Sequence, residues 1–261
     1  MRLLTFLSDF GGASPYPAAM KAAAAGLCDA GFLDISHDVP PGSIREAAYL
    51  LWSVAPACAA GTVHCAVVDP GVGTARAPLA VASGGQIFVG PDNGLLLPAA
   101  RRLGTPAVYC LRDSGVWRHP VSATFHGRDV FAPTAARLAS GVPLAAVGAP
   151  AAEYVDLALP VGRRDGSALA GEVLWIDRFG NLVTSIPGSL LETVPRGSGV
   201  VIEAGSTTLG AASARTFADV VPGETAVLVG SDGLVEVAQN GGSAAAKLSA
   251  VLGMALRVRP A

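Results

Sequence analysis

Asp69 and Arg76 stand seven residues apart in the stretch VVDPGVGTAR. The valines before Asp69 read as the end of a buried strand, and the Pro and Gly residues after it read as a turn. An arginine returning across that turn can close a charge-assisted fork on the carboxylate. Such a pair either shapes the loop or holds a reactive group. Three more places combine a strand end, a glycine and a polar group. In LSDFGG, Asp9 follows an apolar strand. Ligands of open α/β sheets bind at the carboxyl ends of strands, where Asp9 could accept two hydroxyl bonds from a ribose diol, or simply hold an Asx turn. In TFHGRDVF, His126 lies in a polar turn before a helix and could reach the same strand ends, whereas Arg128 and Asp129 read as a solvated or capping pair. In WIDRFGNLVTSI, Phe179 lies between Asp177 and Asn181. The ring could stack on a base, the amide could pair with a base edge and the carboxylate could hold an amino group; a hairpin turn explains the same residues.

These groups need elements to position them. RLLTFLS, FLDIS, TVHCAVVD and AVYCLR read as strands, with LAVAS and QIFVG as a short pair joined by Gly84 and Gly85. Helical stretches alternate with them: PAAMKAAAAGLCDAG, SIREAAYLLWSVA with a capping box from Ser43 and Glu46, GLLLPAARRLG with Pro98 inside it, and RDVFAPTAARLASG. Strand–helix alternation predicts an α/β layer with a largely parallel sheet. After about Pro160 the character changes. LPVGRRDGSALAG reads as a linker, followed by EVLWID, NLVTSI, GVVIEAG, TAVLVG and LVEVAQN, short strands expected to form a small all-β barrel or sandwich. We expect an α/β domain over 1–162 and a β domain over 163–261.

Composition excludes several classes. Among 261 residues 51% are hydrophobic, enough for a sizeable core, with a mean hydropathy of +0.48. Yet no run of about 18 apolar residues escapes interruption, which argues against a membrane span. The N-terminus lacks a small-residue cleavage site and reads as a first strand, so a cytoplasmic location is expected. Net charge is −2 and the basic residues are scattered, so no nucleic-acid footprint is present. Cys28, Cys58, Cys65 and Cys110 show no C-x-x-C spacing, and the four histidines form no H-x-x-x-H pair, so no metal site is expected. Phosphate-loop, nucleophile-elbow and dinucleotide fingerprints are absent from the sequence.

Taken in order, FLSDFG, VVDPGVGTAR, VGPDNGLL, TFHGRDVFAP, IDRFGNLVT and NGGSAA resemble the S-adenosyl-L-methionine hydrolases that form adenosine, the SAM hydroxide adenosyltransferases, whose relatives are the fluorinating and chlorinating enzymes. The motifs run from Leu7 to Ala245. The resemblance implies an α/β N-terminal domain, a β-barrel C-terminal domain, and a homotrimer whose sites lie between neighbouring chains. It implies a hydrolytic triad at Asp69, Arg76 and His126, a ribose-binding carboxylate at Asp9, a methionine amino contact at Asp177 and adenine contacts at Phe179 and Asn181. Phe217 in RTFADV matches a second adenine-side aromatic, and Ser231 in GSDG matches a serine at the methionine carboxylate. This chain carries Ser14 where many members have an acid, and Asp232 where the halogenating relatives have an arginine. The implied reaction is attack of water or hydroxide on the ribose 5′-carbon, with S-adenosyl-L-methionine as substrate and no cofactor. Two rivals are a 5′-halogenating enzyme, disfavoured by Asp69 and His126, and a non-catalytic adenosine or S-adenosylmethionine sensor.

Overall fold

The computed structural model describes residues 2–112 and 115–261. The chain forms two compact units, Met1–Ala158 and Leu159–Ala261.

In the first unit the order is β1 (Leu3–Ser8), α1 (Tyr16–Ala25), β2 (Gly31–Ser36), α2 (Ile44–Val54), β3 (Val63–Val67), β4 (Pro78–Ser83), β5 (Gln86–Pro91), α3 (Leu97–Leu103), β6 (Ala107–Leu111), α4 (Ala132–Ala139), α5 (Leu144–Val147) and β7 (Gly148–Pro150). The strands make one sheet in the order β2-β1-β3-β5-β4-β6-β7. The half from β2 to β5 is parallel, as the strand–helix alternation predicts. The rest is antiparallel, because β4 and β5 form a hairpin through Gly84 and Gly85, both at positive φ, so the sheet is mixed.

Alternation along the central strands sends side chains to two cores. Leu4, Phe6, Cys65 and Val67 pack with Met20 and Ala24 of α1 and the alanine-rich α4. Leu7, Ala66, Val68 and Phe88 pack with Ala47 and Leu51 of α2 and Leu97 and Ala100 of α3. Helices therefore cover both faces, and β3 is buried along its whole length, as expected of a central parallel strand.

Two local expectations come out differently. Ser43 does not cap α2. It sits at φ −77°, ψ 76°, with Ile44 N–H donating to the Gly42 carbonyl, an inverse γ-turn. Its hydroxyl instead lies 3.4 Å from Glu46 Oε2. Pro98 does not break α3, because the helix starts at Leu97 and proline occupies the first turn, where no N–H is required.

The second unit contains β8 (Arg163–Asp165), β9 (Ala168–Ile176), β10 (Leu182–Pro187), α6 (Gly188–Leu191), β11 (Gly199–Ala204), β12 (Thr207–Ser213), β13 (Thr225–Val229), β14 (Leu234–Gln239), α7 (Ala244–Leu248) and β15 (Ala255–Pro260). Neighbours run β10-β14-β13-β12-β11-β15-β9, and β9 pairs again with β10, closing a seven-stranded barrel. The stretch read as a linker in fact begins this barrel, because Gly166 at φ 61° turns β8 into β9. Leu169, Val173, Ile186, Ile202, Val237 and Val258 fill the interior.

One polar group lies deep in the first sheet. His64 on β3 bonds Thr5 Oγ1 at 2.8 Å through Nδ1 and Gln86 Oε1 at 2.7 Å through Nε2, and stacks on Phe88. Burial pushes its pKa down to about 4, against the pull of the Gln86 bond. The folded protein thus keeps the ring neutral at pH values where an unfolded chain protonates it, so acid favours unfolding between about pH 6.5 and 4. Denaturant titrations across that range should show wild type losing about 3 kcal/mol relative to His64→Gln. A pH-independent difference would contradict this.

Candidate active site

Asp69 and Asp9 leave neighbouring strands at the same edge of the first sheet, since β1 and β3 are parallel and Ser8 pairs with Val67. From Asp69 the chain turns through Gly71 and Gly73 and returns Arg76 to it. Arg76 Nε lies 3.0 Å from each carboxylate oxygen of Asp69, and Nη2 also donates to Oδ2. The same Nη2 donates to Nδ1 of His126 at 2.8 Å. The guanidinium carbon lies 5.0 Å from the centroid of the Phe131 ring, which is fully buried, a cation–π distance. Asp69 and Arg76 side chains are only 6% and 11% exposed. The structure therefore brings together the three residues that the resemblance implies as a triad, and adds Phe131. Sequence gave no signal for Phe131 beyond its place on the apolar face of the following helix.

Two features hold the loops at this spacing. A Cβ on Gly73 would lie 2.6 Å from the Ala123 carbonyl oxygen, and φ there is +78°. Only glycine lets the Asp69–Arg76 loop approach the loop that carries His126. Asn93, from the VGPDNGLL motif, donates through Nδ2 to the carbonyl of Val68 at 2.8 Å and so fixes the residue before Asp69.

His126 enters a π turn over Gly127–Phe131 before α4; such turns recur at functional sites. Asp129, read from sequence as part of a solvated pair, is fully buried. Its carboxylate accepts from Arg128 at 2.7 and 2.8 Å, from Arg118 at 3.1 Å and from the Ser122 N–H at 2.9 Å. Burial works against its charge, but these bonds hold its pKa below the ordinary value. It ties down the loop that presents His126. Phe125, next to His126, meets Phe10, next to Asp9, edge to face at 5.7 Å, with Tyr16 against both. The two loops thus share an aromatic contact.

An arginine N–H can only donate, so Nδ1 of His126 must accept. The ring is then neutral with its proton on Nε2. Burial lowers the His126 pKa, and the Arg76 charge lowers it further, against the opposing pull of Asp69 and Asp129. The set therefore combines a guanidinium and an imidazole N–H, both donors, anchored by one carboxylate. That favours an oxygen nucleophile carrying negative charge.

Asp9 accepts the Gly42 N–H at 2.8 Å through Oδ2. In the second unit, Asp177 organises the β9–β10 turn. Its Oδ1 accepts from the N–H groups of Phe179 and Asn181 at 2.9 and 2.8 Å, and its Oδ2 from the Asn181 side-chain amide at 2.8 Å. Phe179 at the tip is 77% exposed, and Phe217, at the start of a short 3-10 turn capped by Thr216, is 46% exposed. Ser231 is exposed in the β13–β14 turn. Sequence reasoning missed Glu236 on β14. Burial raises its pKa, and the charges of Asp177 and Asp232 raise it further. Glu236 therefore lies in the field of two other carboxylates, a grouping that favours a cation beside it. Among the described residues no cluster of His, Cys, Asp or Glu could hold a metal ion, and no helix is long and apolar enough to cross a membrane.

The profile described as SAM hydroxide adenosyltransferase N-terminal domain matches residues 4–148, and its C-terminal counterpart matches residues 171–257. A protein named (R)-S-adenosyl-L-methionine hydrolase from Salinispora tropica is 46% identical, over 98% of this chain and 97% of its own length. One of the same name from Thermus thermophilus is 42% identical, over 99% and 100%. A fluorinase from Actinopolyspora mzabensis is more distant, at 27%. The crystal structure of an uncharacterized conserved protein from Thermotoga maritima superposes with a TM-score of 0.94 at 35% identity, covering 98% of this chain and 99% of that one.

Removing the Arg76 charge should release His126. In an NMR titration the wild-type ring should titrate below the ordinary value of about 6.5, and in Arg76→Ala it should titrate higher. An unchanged or lower value in the variant would show that Arg76 does not govern this histidine.

Proposed function

The chain belongs to the SAM hydroxide adenosyltransferase family, and on that premise we propose that it hydrolyses S-adenosyl-L-methionine to adenosine and L-methionine. One observation carries the reading: a nearly enclosed arginine joins Asp69 and His126 at the carboxyl edge of the sheet, where substrates of α/β folds bind.

Attack at the ribose 5′-carbon forms a C–O bond and breaks the C–S bond. Methionine leaves as a neutral thioether, so the leaving group needs no proton. The demand falls on the nucleophile, because bulk water has a pKa near 15.7. Asp69 is engaged by Arg76 and His126 Nδ1 by the same guanidinium, so neither is a free base. We assign Arg76 and the His126 Nε2–H to holding the hydroxide formed when water gives a proton to solvent, and Asp69 to anchoring Arg76. Each unit by which the site lowers the pKa of bound water is worth about 1.36 kcal/mol. Hydroxide then neutralises the sulfonium, a step that low local polarity favours. This chemistry requires no metal or redox cofactor.

For binding, we assign Asp9 to the ribose hydroxyls, Phe179, Asn181 and Phe217 to adenine, and Asp177 and Ser231 to the methionine end. The carboxylates of Asp177, Asp232 and Glu236 support an ammonium-bearing group there. The exposed rings of Phe179 and Phe217 support a second role as surfaces covered by a base in a homotrimer. We place the protein in the cytoplasm, where its free thiols would persist.

Incubation of pure protein with S-adenosyl-L-methionine should release adenosine and methionine in equal amounts, with or without chloride. A 5′-halogenated nucleoside, or binding without turnover, would overturn the reading. Arg76→Ala should lower kcat roughly 100- to 1,000-fold while adenosine affinity changes little; equal losses would contradict its assigned role. For the trimer, inactive Asp69→Ala and Asn181→Ala chains should regain adenosine release when co-refolded. No recovery in mixed trimers verified by mass spectrometry would mean that each site is built within one chain.

A further inference from the structure

Beneath Asp9 runs a buried polar chain that the chemistry above does not use. Ser8, the last residue of β1, is fully buried and shares a 2.7 Å hydrogen bond with His37 Nδ1. His37, 8% exposed, sets Nε2 3.2 Å from Asp34 Oδ1, a close contact at a poor hydrogen-bonding angle. Lys21 Nζ donates to the other Asp34 oxygen at 2.8 Å. Burial opposes the Asp34 charge, but the bonds from Lys21 and His37 outweigh it and keep its pKa below the ordinary carboxylate value. An ionised carboxylate only accepts, so a proton on Nε2 faces Asp34, and in the neutral ring Nδ1 then accepts from the Ser8 hydroxyl. Ser8 Oγ in turn lies 3.4 Å from the N–H of Phe10, one residue beyond Asp9. The order serine–histidine–aspartate is that of a hydrolytic relay, but a fully enclosed Ser8 cannot meet a substrate.

The chain exists because the β1–β2 register slips. Pairing passes from Phe6 with Asp34 to Leu7 with Ser36, skipping Ile35. A bulge of this kind re-aims the residues after it, and here it brings His37 onto Ser8. The segment after β2 then grips the Asp9 loop at three more points: Gly11 N–H donates to the His37 carbonyl at 2.7 Å, Gly12 N–H to Asp38 Oδ1 at 2.7 Å, and Gly42 N–H to Asp9 Oδ2 at 2.8 Å. His37 binds this loop through both ring and backbone.

We infer that His37 is a positioning residue: through Ser8 it fixes the loop on which Asp9 receives the ribose diol of the substrate. The inference rests on the reading of Asp9 as the diol acceptor. It is tested on the full chain with His37→Phe, which removes the acceptor, His37→Asn, whose side-chain oxygen can still accept from Ser8, and Ser8→Ala, which keeps the packing. Calorimetry measures affinity for adenosine and 2′-deoxyadenosine, and kinetics with S-adenosyl-L-methionine separate KM from kcat. Wild type should prefer adenosine. His37→Phe and Ser8→Ala should each lose about tenfold in adenosine affinity, with a clearly smaller loss for 2′-deoxyadenosine, which keeps only one of the two hydroxyls, KM raised and kcat nearly constant. His37→Asn should restore most of the preference, and adding His37→Phe to Asp9→Asn should cost nothing more. Retained discrimination in folded Ser8→Ala and His37→Phe, or equal loss for both nucleosides, would overturn the role of His37 while leaving that of Asp9 intact. Wild type that fails to distinguish the nucleosides would overturn both.

Discussion

The guanidinium of Arg76 is the constraint around which the first unit is arranged. It is nearly enclosed, so its charge must be answered on every side. Asp69 takes one edge, His126 accepts from the same end, and Phe131 covers a face. Breaking a buried pair typically costs about 3–5 kcal/mol, which explains why so much surrounding structure serves the geometry. Gly73 admits the neighbouring loop, Asn93 holds the carbonyl before Asp69, and Asp129 ties down the segment leading to His126. The same bonds that satisfy the charge dictate the chemistry, because an imidazole that accepts from arginine keeps its remaining proton as a donor.

Legibility in the sequence follows the range of the interactions. Asp69 and Arg76 were readable as a pair because a Pro-Gly turn can return the chain within seven residues. The parallel half of the sheet and the β4–β5 hairpin were readable from apolar runs and paired glycines. His126 was placed with them by motif order, since nothing local connects residues fifty positions apart. Asp129 was misread because composition does not show that the preceding loop folds back so that Arg118 and the Ser122 N–H meet its carboxylate. Ser43 failed as a cap because a γ-turn, invisible in composition, turned its side chain elsewhere. Glu236 was missed because an alternating strand gives no hint that a carboxylate stands beside two others.

The second unit shows how one residue can satisfy two readings. Asp177 behaves as a turn residue, accepting three hydrogen bonds within the β9–β10 hairpin. Those bonds also fix the amide of Asn181 and leave the ring of Phe179 exposed at the tip. A hairpin that presents a flat aromatic beside a locked amide has the chemistry to meet a purine, so the bonds that build the turn also serve the proposed adenine contact. The barrel closes through the β9–β10 pairing, and the turn joins the two strands that make this closure.

The central claim is that Arg76 fixes His126 as a neutral imidazole protonated on Nε2. Two-dimensional NMR of 15N-labelled protein at neutral pH reads this directly from the shifts and couplings of the two ring nitrogens. The account predicts an unprotonated Nδ1 and a protonated Nε2 in the wild type. A proton on Nδ1, alone or in an imidazolium, would contradict it.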